Sequence, residues 1–478
     1  MPSTSSPTKS GGSRLSFPVV SAFGSTAAPI AAIALVMGVY LPHFFSSYIG
    51  LSLGAVGAAF GVVRVLDLAV DPLLGMAMDR TRSRLGRYRP WLILGAPIVM
   101  VAVYMLFMAK PGMSFGYLIV WLLVLYLGVS ILTLAQAAWG AALATDYHDR
   151  SRVYGAIQAV GVIGSVLILM LPLALAKTPA GAHGGVGAMG WFIIALLPLT
   201  VALCCVVTPE RVAPEADDGE RVTFADYWSL FTRPEMLRLV FADFVIALGP
   251  GTVAALYLFF FHDARHYTTP QTSILLLFFI AAGLLGAIFW AQVARRFGKH
   301  RTLIATTVAF AVAQTLLMVI PPATMPLAIP AMALVGFVSA GFVPLVRAMV
   351  ADVADEVRLE TGKERAGLLY ALVTTTQKIG SAITVTISYA VLQMVGYNPA
   401  EGAVNTPEAI RGLELCYVFA PITLVFLGGA AFIGWKLDAT RHAEIRRQLD
   451  IRDGLAAEAG LLEVVSGVSV AQDRQHGA

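Results

Sequence analysis

Twelve apolar segments, each long enough to cross a lipid bilayer, follow one another along the 478 residues of this chain. They lie at about 20–46, 50–77, 91–109, 115–143, 153–176, 190–208, 236–262, 271–294, 302–320, 327–351, 367–396 and 413–436. A membrane-spanning helix needs about 20 apolar residues. Only 13% of the residues are charged, against about 25% in soluble proteins. The predicted fold class is therefore an all-α polytopic membrane protein with twelve transmembrane helices.

The distribution of basic residues predicts how the chain is oriented in the bilayer. The loops of one side contain few of them, namely Lys110, Lys177, Arg265 and Arg411. Most of the others lie in the termini and in the loops of the opposite side. Since Lys and Arg collect on the cytoplasmic side of membrane proteins, we expect a plasma (inner) membrane protein with both termini in the cytoplasm. The net charge of +4 is spread over the loops, so no nucleic-acid partner is expected.

A polar stretch at 209–235 divides the twelve segments into six and six, giving predicted halves at 18–208 and 236–440. Its second part has the pattern of a short amphipathic helix on the membrane surface. Residues 1–17 are predicted to be a disordered tail, and residues 441–478 a second cytoplasmic tail. The loop sequence RLGRYR at 84–89 has a counterpart, RFGKHR, at 296–301. Two similar halves with matching basic loops are typical of major facilitator transporters, in which the halves rock about a central site.

Four charged residues lie inside the predicted membrane segments. Asp67 and Asp71 are one helical turn apart on the same face, Arg64 is one turn before them, and Lys378 belongs to the other half. Each would cost about 2.5–3.5 kcal/mol at the centre of a lone helix, so they must face an internal cavity and compensate one another. One interpretation is a salt-bridge network that only holds the halves together. The other is a cation site formed by the two carboxylates, with Arg64 and Lys378 coupling it to transport.

The residues around these charges resemble the glycoside–pentoside–hexuronide:cation symporters, the melibiose-carrier family. The similarity covers Arg64 to Trp91, Asp149-Arg150-Ser151-Arg152, Asp352 to Gly367 and Lys378-Ile-Gly380-Ser381. It implies a major facilitator fold and cation-coupled import of a small sugar or glycoside. It also implies that Asp67 and Asp71 bind the cation, with Lys378 beside them. If the ion is Na⁺, the two aspartates are its metal ligands; neither a cofactor nor enzymatic activity is expected, and the protein is expected to be monomeric.

The solute site departs from the family pattern. Thr26 stands where the sugar carriers have an aspartate, Ala135 replaces a polar residue, and Ile157-Gln158 lies where an arginine is expected. The candidate solute-binding residues are Thr26, Gln136, Trp139, Gln158, Thr374, Gln377 and Lys378. These changes leave two substrate classes open, a sugar or glycoside and a less polar, lipid-like amphiphile on the same fold.

The coupling ion and the gate are also predicted from the residues. Val70 lies between the two aspartates and Leu132 stands where a hydroxyl ligand would help. Because Na⁺ needs several oxygen ligands, H⁺ is favoured and Na⁺ stays open. The candidate gating residues, expected to form ion pairs between the halves at the cytoplasmic side, are Asp79, Arg84, Arg87, Asp352 and Arg365. Asp243 and Arg347 lie inside helices near this side and have no assigned role.

Overall fold

The computed structural model describes residues 15–144, 147–178, 185–210, 224–363 and 365–454. Within these residues the chain is helical, with short connections and no strand. The helices are α1 (Phe17–Ser25), α2 (Ala27–Ser47), α3 (Leu53–Arg80), α4 (Arg89–Phe107), α5 (Phe115–Leu143), α6 (Tyr147–Ala174), α7 (Val186–Val207), α8 (Phe224–Phe231), α9 (Pro234–Leu258), α10 (Thr269–Phe297), α11 (Lys299–Val319), α12 (Met325–Ser339), α13 (Phe342–Thr361), α14 (Ala366–Met394), α15 (Pro407–Ala430) and α16 (439–454).

These helices form twelve membrane spans, which confirms the predicted fold class. Eleven spans among the described residues have the length and apolar composition to cross a bilayer. The first span joins α1 and α2, the seventh continues α9 into a π-helical turn at Phe259–Ala264, and the tenth joins α12 and α13. The remaining span is α14, 29 residues long. It is less apolar because its middle carries the polar run 374–378.

Six spans precede α8 and six follow it, so α8 lies in the polar stretch between the halves. Within the halves, α4 packs on α5, α10 on α12 and α9 on α15. The most extensive contacts between the described helices of the two halves are those of α3 with α14, α6 with α10, and α2 with α9. The interface between the halves therefore contains the two helices, α3 and α14, that carry the charges predicted to lie in the membrane.

Close helix packing depends on glycine at the contact between α10 and α12. A Cβ on Gly286 would lie 2.0 Å from the carbonyl oxygen of Phe337, and one on Gly336 would lie 2.1 Å from that of Phe279. Small residues let backbones approach where the surrounding lipid is as apolar as the helices themselves. These two glycines therefore fix how closely α12 approaches α10.

The halves are joined at the face of the molecule opposite the chain termini, which we call the distal face. Tyr40 Oη and Ser273 Oγ are 2.9 Å apart, and Thr386 Oγ1 donates to the carbonyl oxygen of Gly57 at 2.6 Å. The backbone N–H of Glu401 donates to the carbonyl oxygen of Ser47 at 3.1 Å. All three contacts connect the N-terminal half to the C-terminal half near the distal ends of their helices. The distal face is therefore closed in this structure.

The structure gives detail at three predicted segment ends. The disordered tail was predicted to reach residue 17, whereas Leu15 is buried and its N–H donates to the Asp149 carboxylate at 3.1 Å. The tenth span was predicted to end at 351, yet α13 continues to Thr361, so Asp352 lies on a helix and not in a loop. Residues 439–454 of the C-terminal region form α16, which packs on α13 through His442 Nε2 and Asp355 Oδ2, 3.0 Å apart.

Candidate functional site

The two halves meet at a charged pair in the middle of the bundle. Lys378 of α14 donates a hydrogen bond to Oδ2 of Asp71 on α3. The Asp71 side chain is 12% exposed and that of Lys378 is 33% exposed, so neither is fully buried. The second oxygen of Asp71, Oδ1, is buried and has no hydrogen-bond partner among the described residues. Asp71 therefore has a free oxygen beside its bond to Lys378.

Asp67, one turn earlier on α3, has both oxygens occupied. Ser130 Oγ of α5 donates to Oδ1 at 2.6 Å, and Arg64 Nη1 donates to Oδ2 at 3.1 Å. The residue is only 4% exposed. The guanidinium of Arg64 lies over the ring of Tyr126, 5.0 Å from its centroid, where cation–π attraction holds it in place. The two aspartates thus differ, since Asp67 is fully bonded and Asp71 is not.

Ser130 and Tyr126 were not identified from the sequence. They are four residues apart on α5, so they share a helix face, and that spacing is the signal that could have identified them. Leu132, considered from the sequence as the place for a hydroxyl ligand, and its neighbour Thr133 do not reach the aspartates. Leu132 packs toward Gly95 of α4, and Thr133 Oγ1 donates to the carbonyl oxygen of Val129 at 2.9 Å.

A second polar cluster lies within the C-terminal half. Arg347 of α13 donates from Nη1 to Thr374 Oγ1 at 3.0 Å and from Nη2 to Gln377 Oε1 at 2.7 Å. Gln377 also lines a cavity of about 440 Å³ between α9, α10, the α12–α13 span and α14. Asp243 of α9 lines the same cavity. Two of the predicted solute-binding residues, Thr374 and Gln377, are therefore brought together by Arg347.

The predicted solute-binding residues of the N-terminal half are arranged differently. Gln136 Nε2 donates to Thr26 Oγ1 at 2.7 Å, and both residues are buried. Trp139 is completely buried, with the ring of Phe23 edge-on at 5.6 Å. Gln158 of α6 is exposed. Thr26, Gln136 and Trp139 form a packed cluster in this conformation, and their role in solute binding stays a prediction.

The predicted gating residues lie toward the face that carries the termini. Asp352 receives hydrogen bonds within its own half, from Lys299 Nζ at 2.5 Å, and lies 3.3 Å from His442 Nε2. Arg87 Nε donates to the carbonyl oxygen of Met78 at 3.2 Å. Arg84 is exposed and Arg365 immediately precedes α14. The side chain of Asp79 lies outside the described residues, so the predicted pairing between the halves stays a prediction.

Comparison with known proteins gives a consistent result. The model of the family described as MFS/sugar transport protein matches residues 22–439. An isoprimeverose transporter of Lactiplantibacillus pentosus is 27% identical over 411 residues, which cover 84% of each chain. A putative glycoside/cation symporter, YagG of Escherichia coli, is 27% identical, with 86% of this chain and 89% of that protein covered. Among solved structures, the D323A mutant of the nucleoside transporter NupG superposes with a TM-score of 0.68 at 13% identity, over 87% of this chain and all of that one. This last similarity supports the fold alone.

Proposed function

Because the chain belongs to the MFS/sugar transport protein family, we propose that it is a cation-coupled symporter that imports a small sugar or glycoside by alternating access. The resemblance to the glycoside–pentoside–hexuronide:cation symporters is confirmed by relatives that include a glycoside/cation symporter and an isoprimeverose transporter. The proposal concerns the identity of the coupling ion, the identity of the solute and the residues that bind them.

The observation that carries the proposal is the bond from Lys378 to Asp71, which joins the two halves beside an unpartnered carboxylate oxygen. A cation taken up by Asp71 competes with Lys378 for the same carboxylate. Occupation of the site therefore weakens a contact between α3 and α14, and the relative position of the halves changes with it. A membrane potential of 100 mV contributes about 2.3 kcal/mol for each charge that crosses with the solute.

We assign the coupling role to H⁺. Asp67 has both oxygens engaged by Ser130 and Arg64, and Thr133 donates to its own helix backbone. Few oxygen atoms are then left for Na⁺, which is coordinated by several of them. A proton needs only one available carboxylate oxygen, and Asp71 Oδ1 provides it. If Na⁺ were the ion, Asp67 and Asp71 would be its ligands and Ser130 would have to turn away from Asp67.

The closed distal face supports an inward-facing state, in which the solute site communicates with the cytoplasm. The termini then lie in the cytoplasm, in agreement with the positive-inside distribution of Lys and Arg. Asp79, Arg84, Arg87, Asp352 and Arg365 are proposed to pair between the halves when the cytoplasmic side closes. Asp352 would then exchange its bond with Lys299 for one with the N-terminal half.

The solute is proposed to contact residues of both halves as the cavity closes around it. The candidate solute-binding residues are those predicted from the sequence, namely Thr26, Gln136, Trp139, Gln158, Thr374, Gln377 and Lys378. A less polar solute is the second candidate substrate class, and the apolar walls of the cavity beside Gln377 favour it. Both classes use the same coupling site.

Uptake into proteoliposomes tests the proposal. The full-length protein is reconstituted and offered isoprimeverose, melibiose and 4-nitrophenyl β-D-xyloside under an inward H⁺ gradient or an inward Na⁺ gradient. We expect accumulation of at least one of these solutes with the H⁺ gradient, abolished by a protonophore. Accumulation that is driven only by the Na⁺ gradient would overturn the assignment of H⁺ as the coupling ion. Accumulation of none of them under either gradient would contradict the sugar symporter itself.

A further inference from the structure

Asp243 is a buried carboxylate with an oxygen that none of the described residues satisfies. The residue is 3% exposed, and in this part of the chain Oδ2 has no hydrogen-bond partner. Burying a polar group without a hydrogen bond is unfavourable, and more so for a charged group. Almost all buried polar groups in proteins have a partner, so an exception calls for a reason. A ligand that supplies a donor is one such reason.

The surroundings of Asp243 form a cavity of suitable size for a small ligand. Its volume is about 440 Å³, within the range of small-molecule sites. Apolar and aromatic side chains make most of its wall, among them Phe279, Phe342 and Val343. The polar groups at the wall are few, and besides Asp243 they include Gln377 and Ser381 of α14. An apolar wall with a few polar groups is the usual composition of a specific ligand site.

The charge balance of the site indicates a neutral ligand. Arg347 is the cation that acts electrostatically on Asp243. Its Nη1 and Nη2 donate to Thr374 and Gln377, and among the described residues Arg347 makes no hydrogen bond to Asp243 Oδ2. Together the carboxylate and the guanidinium carry no net charge. An anionic ligand would be repelled by Asp243 at close range, whereas a neutral hydroxyl satisfies the free oxygen without changing the balance.

We infer that this cavity is the solute site of the C-terminal half, and that Asp243 is the residue that recognises the solute there. The ligand is a neutral glycoside whose hydroxyl donates to the Asp243 carboxylate when this side chain turns toward the cavity, and whose apolar portion lies against the aromatic wall. This inference rests on the proposed function and names the substrate class of the same transport reaction.

Helix α14 connects this cavity to the cation site. Gln377 and Ser381 are four residues apart and share the face that lines the cavity. Lys378 follows Gln377 and projects about 100° away around the helix, toward Asp71. One turn of α14 therefore contacts the solute on one face and the cation site on another. A rotation or tilt of this turn on solute binding would change the bond from Lys378 to Asp71.

A cavity of about 470 Å³ at the distal face is a less suitable solute site. Its carboxylate, Asp263, already accepts hydrogen bonds from Tyr397 and His262, so both of its oxygens are engaged. A solute there would have to break bonds that the protein makes with itself. Asp243 offers its oxygen without that cost.

Binding measurements on the purified full-length protein test the inference. Isothermal titration calorimetry is carried out with 4-nitrophenyl β-D-xyloside, β-D-glucoside and α-D-galactoside, and with the anionic 4-nitrophenyl β-D-glucuronide. We expect binding of at least one neutral glycoside and none of the glucuronide. Asp243→Asn keeps the size of the side chain and removes the charged acceptor, so it lowers the affinity at least about tenfold, as for the loss of one hydrogen bond to a charged group.

Two further variants complete the test. Glu360→Gln makes the same chemical change at a site that is exposed and paired with Arg233, and it leaves the affinity unchanged. Val343→Trp fills the cavity and abolishes binding even if Asp243→Asn fails to fold. Wild-type affinity in either Asp243→Asn or Val343→Trp overturns the inference, as does the absence of neutral glycoside binding in the wild type.

Binding and uptake separate the two proposals. If Asp243→Asn binds glycoside like the wild type, and the wild type accumulates glycoside on a proton gradient, the inference falls and the proposed function stands. If binding depends on Asp243 but the wild type accumulates nothing, the proposed function falls and the site stands.

Discussion

Lys378 donates a hydrogen bond to Asp71 across the interface between the two halves, although 307 residues separate them in the chain. The bond links α14 to α3, and both side chains are partly exposed. The contact of Tyr40 with Ser273, by comparison, lies at the distal face and involves uncharged groups. The pair is therefore a contact between the halves on which a cation can act directly.

Replacement of Lys378 tests the competition between lysine and cation. Lys378→Met removes the competitor, so protonation of Asp71 no longer changes a contact between the halves. For the wild type we expect higher glycoside affinity at pH 5.5 than at pH 8.0, because the protonated state is the one that binds solute. For Lys378→Met we expect a smaller difference in affinity between the two pH values than in the wild type, measured by calorimetry with 4-nitrophenyl β-D-xyloside.

The control for this variant is Lys110→Met, which removes an exposed lysine from a loop at the distal face. It is expected to keep the pH dependence of the wild type. If Lys378→Met also kept that dependence, competition at Asp71 would not be the coupling device.

Ser130 is expected to stabilise the protein through Asp67. Ser130→Ala leaves Oδ1 of a buried carboxylate without its donor, which costs about 1.5–3 kcal/mol. Thr133→Val, on the same helix, removes a hydroxyl that donates only to its own helix backbone and should cost less than about 0.5 kcal/mol. Thermal unfolding of the two variants in one detergent gives the comparison. Equal melting temperatures would mean that the bond from Ser130 to Asp67 contributes nothing.

Closure of the distal face depends on the contact between Gly61 and Thr386. A Cβ on Gly61 would lie 2.4 Å from Thr386 Oγ1, the atom that donates to Gly57. Gly61→Ala should therefore weaken this contact and increase the fraction of molecules that open outward. The added Cβ of Gly75→Ala, on the same helix, meets nothing within 4 Å, so this variant should not change the fraction that opens outward.

Labelling measures the opening. Ser47→Cys places a thiol in the distal cavity, in a background where Cys204, Cys205 and Cys416 are replaced by Ser. Maleimide should react faster with this thiol in the Gly61→Ala protein than in its parent or in the Gly75→Ala protein. An unchanged rate in the Gly61→Ala protein would show that this contact does not control distal closure.

The parts of the structure that were predicted from the sequence are those fixed by the bilayer. Span length is fixed by membrane thickness, so the twelve apolar segments identified the spans, although some helix ends lie six to ten residues from the predicted ones, as at Thr361 and Ala430. Charge inside a span is costly, so Asp71 and Lys378 had to be close to one another or to other charges. The structure places them in direct contact.

The parts that were not predicted depend on how each helix is rotated within the bundle. Sequence spacing shows which residues share a face but not which neighbour that face meets. Ser130 and Leu132 are two residues apart, and packing against Gly95 turns Leu132 away while Ser130 turns to Asp67. Asp243 was noticed as a charge in a span, but its unpartnered oxygen and the cavity beside it are tertiary features.

The account depends most on Asp71 as the site at which H⁺ is coupled to solute movement. Proteoliposomes containing Asp71→Asn are compared with the wild type in two assays, accumulation of glycoside on an inward H⁺ gradient and exchange of internal for external glycoside without a gradient. The account predicts that Asp71→Asn abolishes accumulation and retains exchange, because the solute site persists while the proton site is lost. Accumulation at the wild-type level by Asp71→Asn would contradict it.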